Sequence, residues 1–72
     1  MTRSEALIAM KAGKKVSHRF FISNEYIEMK GNTIYTKDGF SVGTIKDEFW
    51  TSRSNSNWYD GWKYFNYKND RI

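Results

Sequence analysis

The sequence contains no cysteine and only one histidine, His18, among its 72 residues. The absence of cysteine excludes disulfides, thiolate metal sites and a cysteine nucleophile, and a single histidine excludes a multi-histidine metal site. No apolar run approaches the roughly 18 residues that a membrane-spanning helix needs, and the N-terminus lacks the apolar region of a signal peptide. We therefore expect a cytoplasmic protein without a metal or any other cofactor.

Aliphatic bulk is also scarce, since the mean hydropathy is −0.80 while 18% of the residues are aromatic. A chain this short has room for one core, so residues 1–72 are expected to form a single domain whose core rests on Phe, Tyr and Trp. All the aromatic residues follow residue 19, and eight of them lie within residues 49–67. One small subunit cannot cover so many rings, which predicts a homo-oligomer, either a dimer or a dimer of dimers.

The net charge of +4 arises entirely within residues 1–19, because acidic and basic residues balance in the remainder of the chain. A basic segment favours anionic partners such as nucleotides, other phosphate-bearing ligands or RNA. The same charge is also ordinary for a soluble small domain. Charge alone therefore leaves both interpretations open.

One helix followed by strands is the predicted order of elements. Thr2 and Glu5 have the spacing of a capping box and Gly13 suits the position after the last turn, which predicts a helix over about residues 2–13. From residue 15 to about residue 67, β-branched and aromatic residues replace the helical spacing and predict a sheet. Residues 68–72 are expected to fray.

Two turns determine the register of the predicted sheet. A Gly31-Asn32 turn sets Met29 opposite Ile34, with both side chains facing inward. The Asp38-Gly39 turn is either a two-residue turn or a three-residue loop, and only the three-residue loop places Val42 opposite Ile34. Because that register completes an apolar row, hydrophobic consistency favours it.

Downstream, a short strand is expected around Phe49 and Trp50, a polar loop over residues 51–57 and a last strand from Trp62. The predicted fold class is therefore α+β, with one N-terminal helix packed on a twisted antiparallel sheet of four or five strands.

No constellation of catalytic residues stands out. Ser17 and His18 are neighbours on a predicted strand, so their side chains point to opposite faces and cannot act as a pair. Gly13-Lys14-Lys15 resembles the end of a phosphate-binding loop but follows a helix instead of opening one. We therefore do not expect an enzyme.

The candidate ligand-binding residues supply cations for a phosphate, rings for a base, or an amide for hydrogen bonds. Each type also has a structural explanation, because lysines after a helix stabilise its dipole and large rings fill a core or a subunit interface. The sequence leaves these alternatives open. The candidates are Lys14, Lys15, Arg19, Phe21, Trp50, Asn57, Trp58 and Trp62.

The segment from Ser4 to Val16 resembles the opening of a family of small phage domains with the approximate pattern ALxxLKxGKKVxRxGW. The segment Tyr59-Asp60-Gly61-Trp62-Lys63-Tyr64 is similar to the family's ending, an acidic stretch closing on Asp-Trp before a final strand. The chain departs from the pattern at His18, Phe21 and Gly61.

This family comprises the phage anti-Thoeris proteins. The resemblance implies a helix packed on an antiparallel sheet, assembly into oligomers, and sequestration of a cyclic nucleotide immune signal without cleavage. A second class of function is open for a small, basic, aromatic-rich phage protein, which could bind RNA or block a host toxin, nuclease or defence protein. A purely structural interaction protein is a third class that the sequence leaves open.

Overall fold

A computed structural model of the chain describes residues 1–65, which form an α+β arrangement of one N-terminal helix and a four-stranded antiparallel sheet. This is the predicted fold class. The elements, in chain order, are helix α1 (Arg3–Lys11), strands β1 (Val16–His18), β2 (Ile27–Lys30) and β3 (Thr33–Thr36), helix α2 (Glu48–Thr51), a 3-10 turn (Ser56–Trp58) and strand β4 (Trp62–Tyr64).

Helix α1 begins with the predicted capping box. The Thr2 hydroxyl accepts a hydrogen bond from the Glu5 backbone N–H at 3.2 Å, and the Glu5 carboxylate accepts one from the Thr2 N–H at 2.8 Å. Gly13 follows the helix with φ of +86°. At the start of the helix, the two capping hydrogen bonds satisfy the backbone N–H groups of Thr2 and Glu5, which would otherwise be unpaired, and this is why the helix begins at that point.

The sheet has the strand order β3-β2-β1-β4, and the predicted hairpin joins β2 to β3. Met29 pairs with Ile34 and Lys30 with Thr33, as the Gly31-Asn32 turn predicts. Cross-strand partners lie on the same face of a sheet, and Ile34 is completely buried there. The predicted register is confirmed.

The loop after β3 has three residues, so the second of the two predicted registers is the correct one. Tyr35 bridges Ser41, and the Val42 N–H donates to the Ile34 carbonyl at 2.9 Å. Gly39 has φ of +87°, a left-handed conformation in which a side chain would be strained. The chain beyond this loop forms a single bridge to β3 rather than a fifth strand.

The strand predicted around Phe49 and Trp50 is wrong, because these residues belong to helix α2. Two arginine side chains satisfy carbonyls of this short helix. Arg3 donates to the Trp50 carbonyl at 2.7 Å, and Arg53 donates to the Phe49 carbonyl at 2.8 Å. These contacts, together with the burial of the Trp50 ring, outweigh the strand preference of two adjacent aromatic residues.

The core lies between α1 and the sheet. Ala6 and Met10 of α1 are completely buried with Ile34, and Met29 and Val42 pack against the same cluster. This is the predicted packing of the helix on the sheet, and it uses the apolar row. The buried residues of the core also include Ala9, Val16, Ile27, Trp50 and Trp62.

Strand β4 begins at Trp62, as predicted, and is described as far as Tyr64. The predicted continuation of this strand to residue 67 and the predicted tail 68–72 lie outside the described residues. Within residues 1–65, no helix combines the length and the apolar character needed to cross a membrane.

Candidate functional site

An open groove of about 450 Å³ runs across the face formed by the segment after β1, strand β2 and the chain around α2. We call it the aromatic groove. Aromatic side chains dominate its walls: Phe20, Phe21, Tyr26, Phe49 and Trp58. Four charged side chains also line it: Glu25, Lys37, Asp38 and Arg53. Flat apolar walls with a few charged groups are characteristic of small-ligand sites.

The turn between β1 and β2 holds one wall of the groove toward solvent. The Phe21 N–H donates to the His18 carbonyl at 2.9 Å, and the Glu25 carboxylate accepts the Ile22 N–H at 2.9 Å. These bonds leave 56% of Phe20 and 73% of Ile22 exposed. The ring planes of Phe20 and Trp58 stand at 86° to each other, so the two side chains form a corner.

Arg53 lies against two rings of the groove. Its guanidinium carbon is 3.9 Å from the centre of the Phe49 ring and 5.0 Å from the centre of the Trp58 ring. A guanidinium stacks well on aromatic faces because it is planar and weakly hydrated. The side chain is therefore held in place by its own neighbours.

The positive charge of Arg53 has no acidic partner among residues 1–65, where the ion pair that forms joins Arg19 to Asp60. Its Nε atom is buried and lacks a hydrogen-bond acceptor. Burial lowers the pKa of Arg53 from its usual value, although a guanidinium remains charged at any physiological pH. A cation in this state can donate to an anion that enters the groove.

His18 lies beneath the groove and is 1% exposed. Its Nε2 atom is 2.8 Å from the Asp60 carbonyl oxygen, and its Nδ1 atom accepts the Phe20 N–H at 3.1 Å. The imidazole centre is 4.3 Å from that of Trp58. Burial is the main cause of a lowered pKa for His18.

Two of the ring residues predicted for the site, Phe21 and Trp58, line the aromatic groove. The other two, Trp50 and Trp62, are 3% and 2% exposed and belong to the core. The indole N–H of Trp62 donates to the Trp58 carbonyl at 2.9 Å and so fixes the backbone that carries the groove ring. Core and groove are therefore adjacent layers of one aromatic cluster.

The three predicted cations do not converge. Lys15 lies over the Tyr26 ring at 5.2 Å, whereas Arg19, beyond the other end of β1, pairs with Asp60 at 3.3 Å. Lys14 borders a separate depression between α1 and Tyr64. Asn57 is exposed in the 3-10 turn and is not among the residues that line the aromatic groove.

Several residues that line the groove are not among the predicted site residues, notably Phe20, Phe49 and Arg53. The consecutive apolar run Phe20-Phe21-Ile22 was a detectable signal, because a strand buried on one face alternates polar and apolar residues. Arg53 had no such signal. It lies in a polar run whose composition is typical of a solvated loop.

The polar side chains of Ser17 and His18 are engaged in hydrogen bonds to the backbone. The Ser17 hydroxyl donates to the Glu25 carbonyl at 2.8 Å, and both ring nitrogens of His18 have backbone partners. Residues 1–65 contain no group of three His, Cys, Asp or Glu side chains that could hold a metal ion. The groove presents aromatic faces and the Arg53 guanidinium.

Comparison of the chain with protein-family models, with curated proteins and with solved structures finds no match. The family resemblance of the two terminal segments therefore stays a prediction.

Proposed function

We propose that the protein binds and sequesters a nucleotide-type ligand in the aromatic groove without cleaving it. The observation that carries this proposal is the state of Arg53, a cation stacked on two rings beside the groove without an acidic partner among the described residues. A nucleotide matches this arrangement because it combines a planar base with an anionic phosphate. The base stacks on a ring while the phosphate accepts from the guanidinium.

The shape of the groove supports the same class of ligand. Its volume of about 450 Å³ lies within the usual range of small-molecule sites. Phe20 and Trp58 meet at nearly a right angle, so a base stacked on one ring meets the edge of the other. Glu25 and Asp38 balance the charges of Lys37 and Arg53, so the lining has no net positive charge, which favours a ligand with one or two phosphates over a polyanion.

The resemblance to phage anti-Thoeris proteins supports a cyclic nucleotide immune signal as the ligand and the infected bacterial cytoplasm as the location. It also supports assembly into oligomers, and the number of rings in so small a subunit supports a dimer or a dimer of dimers. The exposed Phe20 and Ile22 side chains at the rim of the groove are available to a second subunit, which would then close the groove around its ligand.

Calorimetry with a panel of cyclic mononucleotides, cyclic dinucleotides and cyclic ADP-ribose tests the proposal. We expect saturable binding of at least one member, and recovery of that compound intact after heat denaturation of the complex. A degraded product would instead indicate an enzyme. Absence of binding to the whole panel, together with oligonucleotide binding that weakens steeply with salt, would indicate RNA binding.

Arg3 provides a matched control for Arg53. Its guanidinium also stacks on a ring, that of Trp50 at 4.4 Å, donates to a backbone carbonyl and has a buried Nε atom without an acceptor. Arg3 does not line the aromatic groove. Substitution of Arg53 by Gln should therefore weaken binding about tenfold or more, whereas Arg3→Gln should leave it within about twofold. Equal losses in the two variants would refute the placement of the site.

A further inference from the structure

We infer that His18 is the positioning residue of the aromatic groove, and that its neutral ring with the proton on Nε2 holds Phe20 in the groove wall until a second proton displaces it. The inference concerns the groove itself, and its effect on a bound nucleotide rests on the proposed function. Three observations carry it: the hydrogen bonds of both ring nitrogens, the packing of the ring, and the donor that a second proton would face.

The hydrogen bonds define a single tautomer. A backbone N–H can only donate, so the Phe20 N–H at 3.1 Å requires a lone pair on Nδ1. The Asp60 carbonyl can only accept, so Nε2 at 2.8 Å must carry the proton. The neutral ring thereby links the turn after β1 to the loop before β4.

The ring packing places His18 against three side chains of the groove. Its centre lies 4.3 Å from Trp58, 5.1 Å from Phe20 and 6.1 Å from Phe21. Trp62 closes the opposite side at 4.8 Å with its ring turned edge-on. Any displacement of the imidazole therefore moves the wall rings, because the interior side leaves no room for it.

A second proton on Nδ1 would face the Phe20 N–H, and two donors cannot share that contact. The hydrogen bond to the Asp60 carbonyl and the charge of the Asp60 carboxylate favour protonation of the ring, whereas the charges of Arg19 and Arg53 oppose it. Burial outweighs the favourable contribution and lowers the pKa of His18 below its ordinary value of about 6.5. Protonation of Nδ1 in acid therefore requires that the Phe20 N–H moves away from the ring, and while that contact persists the ring stays neutral.

Nitrogen NMR of the ligand-free protein tests this directly. At pH 7.5 we expect Nδ1 to show the shift of an unprotonated nitrogen and Nε2 that of a protonated one. On acidification, the Phe20 amide and Trp58 indole resonances should move with the His18 titration, with a midpoint below pH 6.5. A ring protonated on Nδ1 at neutral pH, or wall resonances that ignore the titration, would overturn the inference.

Two substitutions separate positioning from mere space filling. Asn at position 18 places its amide oxygen near the Nδ1 site, whereas Gln places its amide nitrogen near the Nε2 site. Hydrogen exchange of the Phe20 amide should stay within about threefold of the parent in His18→Asn and accelerate roughly tenfold in His18→Gln, since one hydrogen bond is lost. Equal exchange in both variants would contradict a role for Nδ1.

These measurements use no nucleotide, so their failure is distinct from failure of the proposed function. If the proposed function holds, calorimetry with the bound member of the nucleotide panel should show weaker affinity at pH 5.5 than at pH 7.5. That loss should disappear in His18→Asn, which cannot titrate. A pH-dependent loss that persists in His18→Asn would assign the effect to another group.

Discussion

Substitution of Trp62 by Phe removes one hydrogen bond and part of a ring from the centre of the aromatic cluster. Trp62 is 2% exposed, donates to the Trp58 carbonyl at 2.9 Å and lies 5.5 Å from the Trp50 ring centre. The lost hydrogen bond costs about 1 kcal/mol and leaves a carbonyl without its partner. The smaller ring adds about 1 to 2 kcal/mol through lost contacts and a residual cavity. The expected loss of unfolding free energy is therefore about 2 to 3 kcal/mol.

That loss is a large fraction of the unfolding free energy of the whole domain. A domain of this length has an unfolding free energy on the order of 4 to 10 kcal/mol. Trp62→Ala, which costs about 3 to 5 kcal/mol, should remove about half of that free energy. Urea denaturation followed by circular dichroism measures both variants. Tyr64→Ala, on the same strand but largely exposed, is the control and should change stability by less than about 1 kcal/mol. A loss below about 1 kcal/mol for Trp62→Phe would refute the assignment of Trp62 to the core.

Three further stability predictions follow from local contacts. Thr2→Ala removes the capping bond of α1 and should cost about 1 kcal/mol in urea denaturation. Gly39→Ala should cost about 1 kcal/mol because residue 39 has a positive φ. Gly43→Ala should cost clearly more, because an added Cβ at position 43 would also lie 2.8 Å from the Asp47 Cβ. Equal melting temperatures for the two variants would contradict this. Since the pKa of His18 is lowered in the fold, its contribution to unfolding free energy should be complete above about pH 6.5 and decline as the pH falls below that value, so a stability profile without such a decline would contradict the buried neutral ring.

The parts of the fold that the sequence predicts are those determined by neighbouring residues. The spacing of Thr2 and Glu5 specifies where α1 begins, and alternation on either side of Gly31-Asn32 specifies the hairpin register. The loop around Gly39 was resolved by one longer-range requirement, that Val42 join the apolar row of Ile34. Each of these choices depends on contacts within about ten residues.

Helix α2 could not be predicted in that way. Its carbonyls are satisfied by Arg3, some 47 residues away in sequence, as well as by the nearby Arg53. The same limit applies to the rings. Nothing local distinguishes the enclosed Trp50 and Trp62 from Trp58, which lines the groove, because burial of a ring depends on what the rest of the chain places over it.

The positions of the positively charged side chains also depend on contacts that are distant in sequence. Lys15 and Arg19 are close in sequence, but four steps along an extended strand separate two residues by about 13 Å, so the strand disperses them. Each then finds its own neighbour, Tyr26 for Lys15 and Asp60 for Arg19. The cations that line the aromatic groove come from other parts of the chain, Lys37 from the loop after β3 and Arg53 from beyond α2. A basic segment therefore indicates an anionic partner without indicating where that partner binds.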